Sequence, residues 1–294
     1  MLGEVLTAMV TPFHADGSVN LEKFRELAAY LVDHGSDGLV VSGTTGESPT
    51  LSDAEKLELF AAAVDAVGDR AAVVAGTGTY DTAHSAHLTE QADELGVDAF
   101  LVVTPYYNKP PQRGIVRHVE EIAAATDKPV VVYNIPARVI VDIEPATIAR
   151  LAEIPNVTAV KQAYDDLEEA RFIAQETRLD LYSGDDNITF DFLELGGVGV
   201  ISVVGHVWGA QIKEMIRRHA EGDLDGARAL NEELQPAFDL LKITTNPIPI
   251  KAALNLLGHE VGGYRLPMVE PTHEELEQIR ACLERAGILQ AASA

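Results

Sequence analysis

Residues 72–103 read AVVAGTGTYDTAHSAHLTEQADELGVDAFLVV, and this stretch carries the pattern that decides the fold. Two short apolar runs, Ala72 to Gly76 and Ala99 to Val103, flank a stretch with helical spacing from Asp81 to Leu95. Continuously apolar runs are typical of parallel strands that are buried on both faces. The segment therefore predicts a strand, a helix and a second strand parallel to the first.

The same strand-then-helix unit occurs eight times along the chain. The predicted strands are Leu6 to Thr11, Gly38 to Ser42, Ala72 to Gly76, Ala99 to Val103, Val130 to Asn134, Thr158 to Gln162, Asp180 to Ser183 and Gly199 to Val203. The amphipathic stretches between them include Leu21 to His34, Ser52 to Val67, Asp81 to Leu95, Gln112 to Thr126 and Pro145 to Glu153. Start signals support two of these helices, since Ser52 and Glu55 form a capping box and Asp81 precedes a helical run.

Eight such units can close into a barrel or spread into an open doubly wound sheet. Gly76-Thr77-Gly78 lacks the third glycine and the spacing of a dinucleotide fingerprint, so we favour a (β/α)8 TIM barrel. After Glu221 the strand pattern stops, and three helical segments follow: Leu224 to Ile243, Pro249 to Leu257 and Thr272 to Ala286. We expect a catalytic barrel over residues 1–221 and a C-terminal helical region over residues 222–294 that packs on it.

Charge and cysteine content narrow the possible partners and compartment. The formal net charge of −24 repels phosphate backbones and argues against a nucleic-acid partner. A single cysteine, Cys282, excludes an intrachain disulfide and indicates a reducing compartment. The first residues, MLGEVLTAMVTPF, read as a strand and not as a signal peptide, and no apolar run is long enough to cross a membrane. We therefore expect a cytoplasmic protein without membrane contact.

Lys161 is the most informative residue at the strand ends, where a barrel carries its active site. It lies in VTAVKQA, residues 157–163, where alternation places it on the face opposite Thr158 and Val160. Buried lysines are rare, and the alternative is a lysine paired with an acid at the barrel rim. An apolar strand favours the neutral amine that a Schiff-base nucleophile requires. The pattern thus predicts a metal-free, cofactor-free class I aldolase that forms a covalent imine on Lys161.

Other polar residues at strand ends fit this chemistry. Tyr133 lies on the neighbouring strand, and a phenol relayed through a hydroxyl, with Thr44 and Tyr107 as the further candidates, can donate and accept protons. The stretch Gly43-Thr44-Thr45-Gly46-Glu47 suits a small carboxylate that is bound by N–H and O–H groups. Arg138 can grip a second carboxylate, although a surface salt bridge is the alternative.

In this order the residues resemble the dihydrodipicolinate synthase family of pyruvate aldolases. The matching motifs are LTAMVTPF at 6–13, GTTGESPTL at 43–51, VTPYYNKPPQ at 103–112, YNIPAR at 133–138, YSGDD at 182–186, GVISV at 199–203, and NPIPIKAAL with RLPM between 246 and 268. They cover the chain almost from end to end.

The resemblance implies a lyase that condenses pyruvate with aspartate semialdehyde on the route to diaminopimelate and lysine. It implies that Lys161 forms the imine and that Tyr133, Thr44 and Tyr107 relay protons. It further implies pyruvate binding by Thr45 with the backbone around Gly184 and Ile201, and binding of the semialdehyde carboxylate by Arg138. In such enzymes Tyr107 reaches a neighbouring subunit, so a homodimer or homotetramer is expected.

The chain departs from the family pattern at two positions. Gln162 replaces the acidic residue that usually follows the lysine, and Ala137 replaces the usual glycine before the arginine. These departures leave open another pyruvate-dependent aldolase, such as one like N-acetylneuraminate lyase. A metal-dependent aldolase using His84 and His87 or Asp185-Asp186, and a non-catalytic binding protein on the same barrel, are further alternatives.

Lysine-inhibited relatives bind their effector through histidine, asparagine and glutamate side chains. The matching positions here hold Asp53, Lys56, Tyr80 and His84. A cation at Lys56 disfavours an effector that carries two ammonium groups. We therefore predict weak or absent inhibition by lysine.

Overall fold

Eight parallel strands form a closed barrel in the computed structural model, which describes residues 2–290. Each strand pairs in parallel with the next along the chain, and the last pairs with the first. The strands are β1 Val5–Ala8, β2 Gly38–Val41, β3 Ala72–Gly76, β4 Ala99–Val103, β5 Val130–Asn134, β6 Val157–Gln162, β7 Asp180–Ser183 and β8 Gly199–Ser202. The predicted (β/α)8 barrel is confirmed, and four of the eight strands have the predicted bounds.

Helices surround the barrel and extend beyond it. They are α1 Leu21–Asp33, α2 Asp53–Val67, α3 Thr82–Asp93, α4 Gln112–Ala123, α5 Pro136–Val139, α6 Pro145–Leu151, α7 Leu167–Glu176, α8 Thr189–Glu194, α9 Gly205–Ala220, α10 Leu224–Glu233, α11 Gln235–Leu240, α12 Ile248–Leu256 and α13 His273–Arg285. The predicted capping box of Ser52 and Glu55 begins α2, and Asp81 caps α3. Among residues 2–290, no helix has the length and apolar character needed to cross a membrane.

The first strand is shorter than predicted because its end is diverted by tertiary contacts. Strand β1 ends at Ala8, whereas the sequence predicted a strand through Thr11. The N–H of Val10 donates to His206 Nε2 at 3.1 Å instead of to a strand partner, and the Thr11 hydroxyl donates to the carbonyl of Gly46 at 2.6 Å. Pro12 follows and restricts the residue before it.

One predicted C-terminal helix is two helices in the structure. The stretch Leu224 to Ile243 divides into α10 and α11, and Pro236 lies in the first turn of α11. Proline has no N–H to donate and fits the first turn of a helix, so it begins a new helix here. The remaining predicted segments correspond to α12 and α13, and each end differs from the prediction by one residue.

Two apolar layers separate the inside of the barrel from its outside. The inner layer includes Leu6, Val40, Val74, Leu101 and Ala159, whereas a larger layer lies between the strands and the surrounding helices. Residues on one strand alternate between these layers because strand side chains point to opposite faces in turn. A third cluster joins α9 to the C-terminal helices, including Ala252 and Ala253 of α12.

Candidate active site

Lys161 projects toward the inside of the barrel near the end of β6. It pairs in register with Tyr133 on β5 and Tyr182 on β7, and only 5% of it is exposed. Within residues 2–290 its ammonium makes no hydrogen bond or ion pair, and Nζ lies 4.2 Å from the centroid of the Tyr133 ring. The alternative interpretation, in which Lys161 is ion-paired with an acid at the barrel rim, is therefore wrong.

Burial is the main cause of the lowered basicity of this amine. Desolvation lowers the pKa of Lys161 to about 8, and the nearby carboxylates of Asp185 and Asp186 oppose part of that effect. The guanidinium of Arg138 lowers the pKa further. A substantial fraction of the amine is consequently neutral just above neutral pH, as a carbonyl nucleophile requires.

Tyr133 provides a neutral phenol next to this amine. Burial raises the pKa of Tyr133 well above its usual range, and a hydrogen bond with Thr44 lowers it in part. The Thr44 side chain comes from the turn after β2, on the other side of the barrel mouth. The structure therefore brings together Lys161, Tyr133 and Thr44, three of the four predicted catalytic residues.

A cavity of about 220 Å³ opens at the C-terminal ends of the strands. Its lining includes Thr44, Tyr133 and Arg138, together with Gly76 at the end of β3 and Gly78 beyond it. A Cβ atom on Gly76 would lie 2.5 Å from the Ser42 carbonyl oxygen, and one on Gly78 would lie 2.5 Å from Val103 N. The two glycines thus allow adjacent strand ends to approach closely and leave room for a small ligand.

Thr45 and Arg138 are linked by a residue from the C-terminal region. Asn246 Nδ2 donates to the Thr45 hydroxyl at 2.9 Å, and its carbonyl accepts from Arg138 at 3.3 Å. The Oδ1 atom of Asn246 is buried and has no hydrogen-bond partner among the described residues. Within residues 2–290 no carboxylate forms a salt bridge with Arg138. This contradicts the alternative interpretation of Arg138 as a residue of a surface salt bridge. The sequence reasoning missed Asn246, although its motif, NPIPIK, was visible.

Gly184 and Ile201 lie near the site but do not line the cavity. The N–H of Gly184 donates to the Gln162 carbonyl at 2.7 Å, and a Cβ atom there would lie 2.6 Å from the Ala163 Cβ. Ile201 is fully buried in the inner layer on β8. The structure thus commits the Gly184 N–H to holding strands β6 and β7 together.

Asp186, the second residue of the acidic pair after β7, has a structural use. The Asp186 carboxylate accepts hydrogen bonds from the Ser202 hydroxyl and from Val203 N at 2.9 Å and Val204 N at 3.2 Å. It therefore joins the turn after β7 to the end of β8. Among residues 2–290 no group of three or more His, Cys, Asp or Glu side chains is arranged to hold a metal ion.

Tyr107 is separate from the other predicted site residues. It is 95% exposed and has a positive φ of 72°, whereas its neighbour Tyr106 lines the cavity. Tyr106 packs edge-on against Tyr80, with ring centroids 5.3 Å apart. Within one copy of the chain, Tyr107 does not join the proposed proton relay.

A buried ion pair holds the turn that carries Thr44 and Thr45. Lys251 Nζ lies 2.9 Å from Glu47 Oε1, and both side chains are almost completely buried. The other Glu47 oxygen accepts from Arg265 N at 3.0 Å, and Lys251 also donates to the Thr11 carbonyl at 3.0 Å. Residues from the C-terminal helical region therefore fix the threonine-bearing turn, a role that the sequence reasoning did not assign.

The positions that match the effector site of lysine-inhibited relatives form a small charged group. His84 Nε2 lies 2.8 Å from Asp53 Oδ2, and Lys56 Nζ lies 3.9 Å from Asp53 Oδ1. Lys56 is buried, and this burial lowers its pKa. His84 is thus engaged by Asp53, and the exposed His87 is close to Glu90.

Known proteins resemble this chain along almost its whole length. The profile of the Dihydrodipicolinate synthetase family matches residues 1–286. The curated 4-hydroxy-tetrahydrodipicolinate synthases of Moorella thermoacetica and Desulforamulus reducens are 53% and 50% identical over 289 and 291 residues; each alignment covers 98% of this chain, and 99% and 98% of those proteins. A crystal structure of DHDPS from Cyanidioschyzon merolae with lysine bound is 42% identical, with a TM-score of 0.96 over 98% of this chain and 99% of that chain. As its motifs predict, the chain belongs to the dihydrodipicolinate synthetase family.

Proposed function

We propose that the protein is a 4-hydroxy-tetrahydrodipicolinate synthase, which condenses pyruvate with aspartate semialdehyde through an imine on Lys161. Curated relatives that are 53% and 50% identical to this chain are named for this lyase activity. The observation that supports the mechanism is a buried, unpaired amine with a pKa lowered to about 8 beside a neutral phenol. A non-catalytic barrel would have no need to keep such a costly group in its interior.

The first step joins pyruvate to the enzyme. The neutral Nζ of Lys161 attacks the C2 carbonyl of pyruvate, and the resulting carbinolamine loses water to form a protonated imine. Tyr133, hydrogen-bonded to Thr44, can donate the proton that leaves with this water. The imine withdraws electrons from the adjacent methyl group, so loss of a methyl proton gives an enamine.

The second step forms the carbon–carbon bond. The enamine carbon attacks the aldehyde carbon of aspartate semialdehyde, and the aldehyde oxygen takes up a proton to become a hydroxyl group. The α-amino group of the former semialdehyde can then attack the imine carbon, which closes a six-membered ring and releases the Lys161 amine. Each bond to the enzyme that forms in this sequence is also broken, so no oxidant or reductant is consumed.

Two groups in the site suit the two carboxylates. We assign binding of the pyruvate carboxylate to Thr45, which is buried at the turn after β2, together with the backbone around Gly184 and Ile201. Arg138 at the cavity edge suits the carboxylate of the semialdehyde. The cation at Arg138 is needed locally because the chain as a whole carries a net charge of −24.

The assembly we propose is a homodimer or homotetramer in which Tyr107 enters the site of a neighbouring subunit. The exposed ring of Tyr107, on a backbone with positive φ, supports this role. The protein is expected to act in the cytoplasm, since its single cysteine, Cys282, is a buried free thiol.

Borohydride trapping with pyruvate, followed by peptide mass spectrometry, tests the proposed imine. We expect a pyruvate-derived adduct on Lys161, loss of that adduct in Lys161→Ala, and its retention in Lys56→Arg, which alters another buried lysine. Turnover of aspartate semialdehyde is measured on the same preparation. An adduct without condensation would indicate that the second substrate is another aldehyde, such as that of a sugar aldolase. The absence of an adduct would refute the mechanism.

A further inference from the structure

Asn134, the last residue of β5, uses its whole side chain to hold other segments. It is fully buried and faces outward from the barrel, whereas the preceding Tyr133 faces inward. Its Nδ2 atom donates to Asp142 Oδ1 at 2.7 Å and to Gln162 Oε1 at 3.1 Å. Its Oδ1 atom accepts from the N–H of Ile143 at 3.2 Å. Both amide hydrogens and the oxygen are therefore engaged.

These bonds close a loop that carries Arg138. The chain leaves β5 at Asn134, passes through Arg138, and returns at Asp142 and Ile143 to the same asparagine side chain. From α4, Gln112 supports the return: its Nε2 donates to the Asp142 carbonyl at 2.7 Å. Its Oε1 accepts from Glu144 N at 3.2 Å.

Arg138 itself has little else to hold it in place. The one hydrogen bond of its guanidinium within the described residues runs to the Asn246 carbonyl and is long, at 3.3 Å. An arginine side chain has many rotamers, so ordering it through contacts of the guanidinium alone has a large cost in conformational entropy. Arg138 lies in the short helix α5, inside the loop that Asn134 closes, and it lines the cavity.

Gln162 connects this closure to the strand of the Schiff-base lysine. It follows Lys161 directly and is fully buried, and its Oε1 accepts from Asn134. Its Nε2 end lies near the Glu169 carboxyl and has no other partner in the described part of the chain. An acid at position 162 would place a third carboxyl group beside Glu169 and Asp142. The amide gives Asn134 its acceptor without adding charge.

We propose that Asn134, Asp142 and Gln162 form a clasp that positions Arg138 for the carboxylate of the second substrate. The clasp rests on the proposed function, because it assigns Arg138 to that carboxylate. Its members touch no substrate and act through the arginine. If these residues only supported the fold, their loss would affect both substrates. We instead expect loss of the clasp to impair use of the second substrate and to leave pyruvate chemistry intact.

Asp142→Ala is the main test, because Asp142 is only half-buried and its loss leaves the core in place. We expect KM for aspartate semialdehyde to rise about tenfold, since displaced positioning groups cost on the order of 10–100-fold in comparable sites. KM for pyruvate and the extent of borohydride trapping should stay within twofold of the unsubstituted protein. Asp142→Asn keeps the acceptor oxygen and should restore the low KM, and Asp127→Ala, an exposed aspartate at the far end of the barrel, should have no effect.

A double-substitution cycle identifies the residue through which the clasp acts. In an Arg138→Ala background, Asp142→Ala should raise KM for the semialdehyde by less than about twofold, because coupled residues are not additive. Asn134→Asp, which keeps the acceptor and loses both donors, should behave like Asp142→Ala; if it does not fold, the Asp142 pair still decides.

Three results would overturn the clasp: an unchanged KM in Asp142→Ala, equal losses for both substrates, or full additivity with Arg138→Ala. Failure of the proposed function is recognised separately, because the unsubstituted protein would then form no pyruvate adduct or would not condense the semialdehyde.

Discussion

At the scale of single residues, two buried lysines in this protein have opposite tasks. Lys251 neutralises Glu47 and donates to backbone carbonyls, so its charge is matched inside the protein. Lys161 has no such partner in residues 2–290, and burial lowers its pKa to about 8. The first lysine stabilises the fold, whereas the second is held in a state that costs stability and favours nucleophilic attack.

Replacing each lysine by methionine should therefore change stability in opposite directions. The folded protein binds the Lys161 proton more weakly than the unfolded chain does, so the penalty is complete below pH 8 and disappears as the pH rises toward 10.5. We expect Lys161→Met to raise the free energy of unfolding at pH 7 by about 1–3 kcal/mol. Lys251→Met leaves Glu47 buried without a partner and should lower it by about 3–5 kcal/mol.

Denaturant unfolding at pH 7 and pH 10 measures both effects. The gain from Lys161→Met should shrink at the higher pH, because the unsubstituted amine is then neutral in the folded state. A less stable Lys161→Met at pH 7 would contradict the view that this lysine is an uncompensated buried charge.

The cation at Lys56 supports the prediction of weak lysine binding. An effector with two ammonium groups at the site predicted from the sequence would add like charges to Lys56, and the nearest acid, Asp53, also pairs with His84. We expect calorimetry to detect no lysine binding at millimolar concentrations, and we expect Lys56→Gln to bind no worse than the unsubstituted protein. Tight binding that Lys56→Gln weakens would show that this cation favours the effector.

At the scale of elements, β6 and α7 meet at a carboxyl group that resists ionisation. Glu169 on α7 is buried, and its pKa is raised to about 7 by burial and by the carboxylates of Asp142 and Asp166. The folded state therefore binds this proton more strongly than the unfolded chain, whose pKa is near 4.5. Stability from this group is complete at low pH and is lost as the pH rises through about 7.

Glu169→Gln should remove this dependence because the amide does not ionise. We expect the unsubstituted protein to lose stability between pH 5.5 and pH 8 relative to Glu169→Gln, as measured by chemical unfolding at the two pH values. Glu168→Gln, an exposed neighbour on the same helix, provides the control and should follow the unsubstituted protein. Parallel pH profiles for all three proteins would show that Glu169 ionises normally.

At the scale of the whole molecule, the assembly we propose makes the site dependent on Tyr107 of a second subunit. Co-expression of Lys161→Ala and Tyr107→Phe chains, carrying different affinity tags, tests this arrangement. In a mixed dimer, one site receives Lys161 from one chain and Tyr107 from the other, while the second site has neither. If the chains mix at random, we expect about a quarter of full activity in the mixture, although each variant alone is nearly inactive.

The mixed dimers can be isolated through their two tags and should then have about half of full activity, by the same reasoning about a twofold dimer. If Tyr107 acted within its own chain, no site in the mixed dimer would be complete and activity would stay at the level of the separate variants. That result would contradict the shared site while leaving the imine on Lys161 unaffected.

Much of this protein could be predicted from its sequence because the decisive signals are local. Continuous apolar runs marked most of the eight strands, and alternation along residues 157–163 placed Lys161 on the face opposite Val160, as observed. The convergence of Lys161, Tyr133 and Thr44 also follows, since the ends of parallel strands meet at one face of a barrel. Local signals were misleading at two places. A hydrogen bond to the distant His206 diverts the end of β1, and Pro236 divides the predicted helix into α10 and α11.

Only the tertiary structure decided the contacts between residues that are far apart in the chain. Asn246 reaches Thr45 across 201 positions, and Lys251 reaches Glu47 across 204. Periodicity gives the face of a helix or strand, but the partner of a polar group depends on how the C-terminal helices pack against the barrel. The closure of the Arg138 loop by Asn134 has the same origin, because a buried amide takes the partners that folding brings within hydrogen-bond distance.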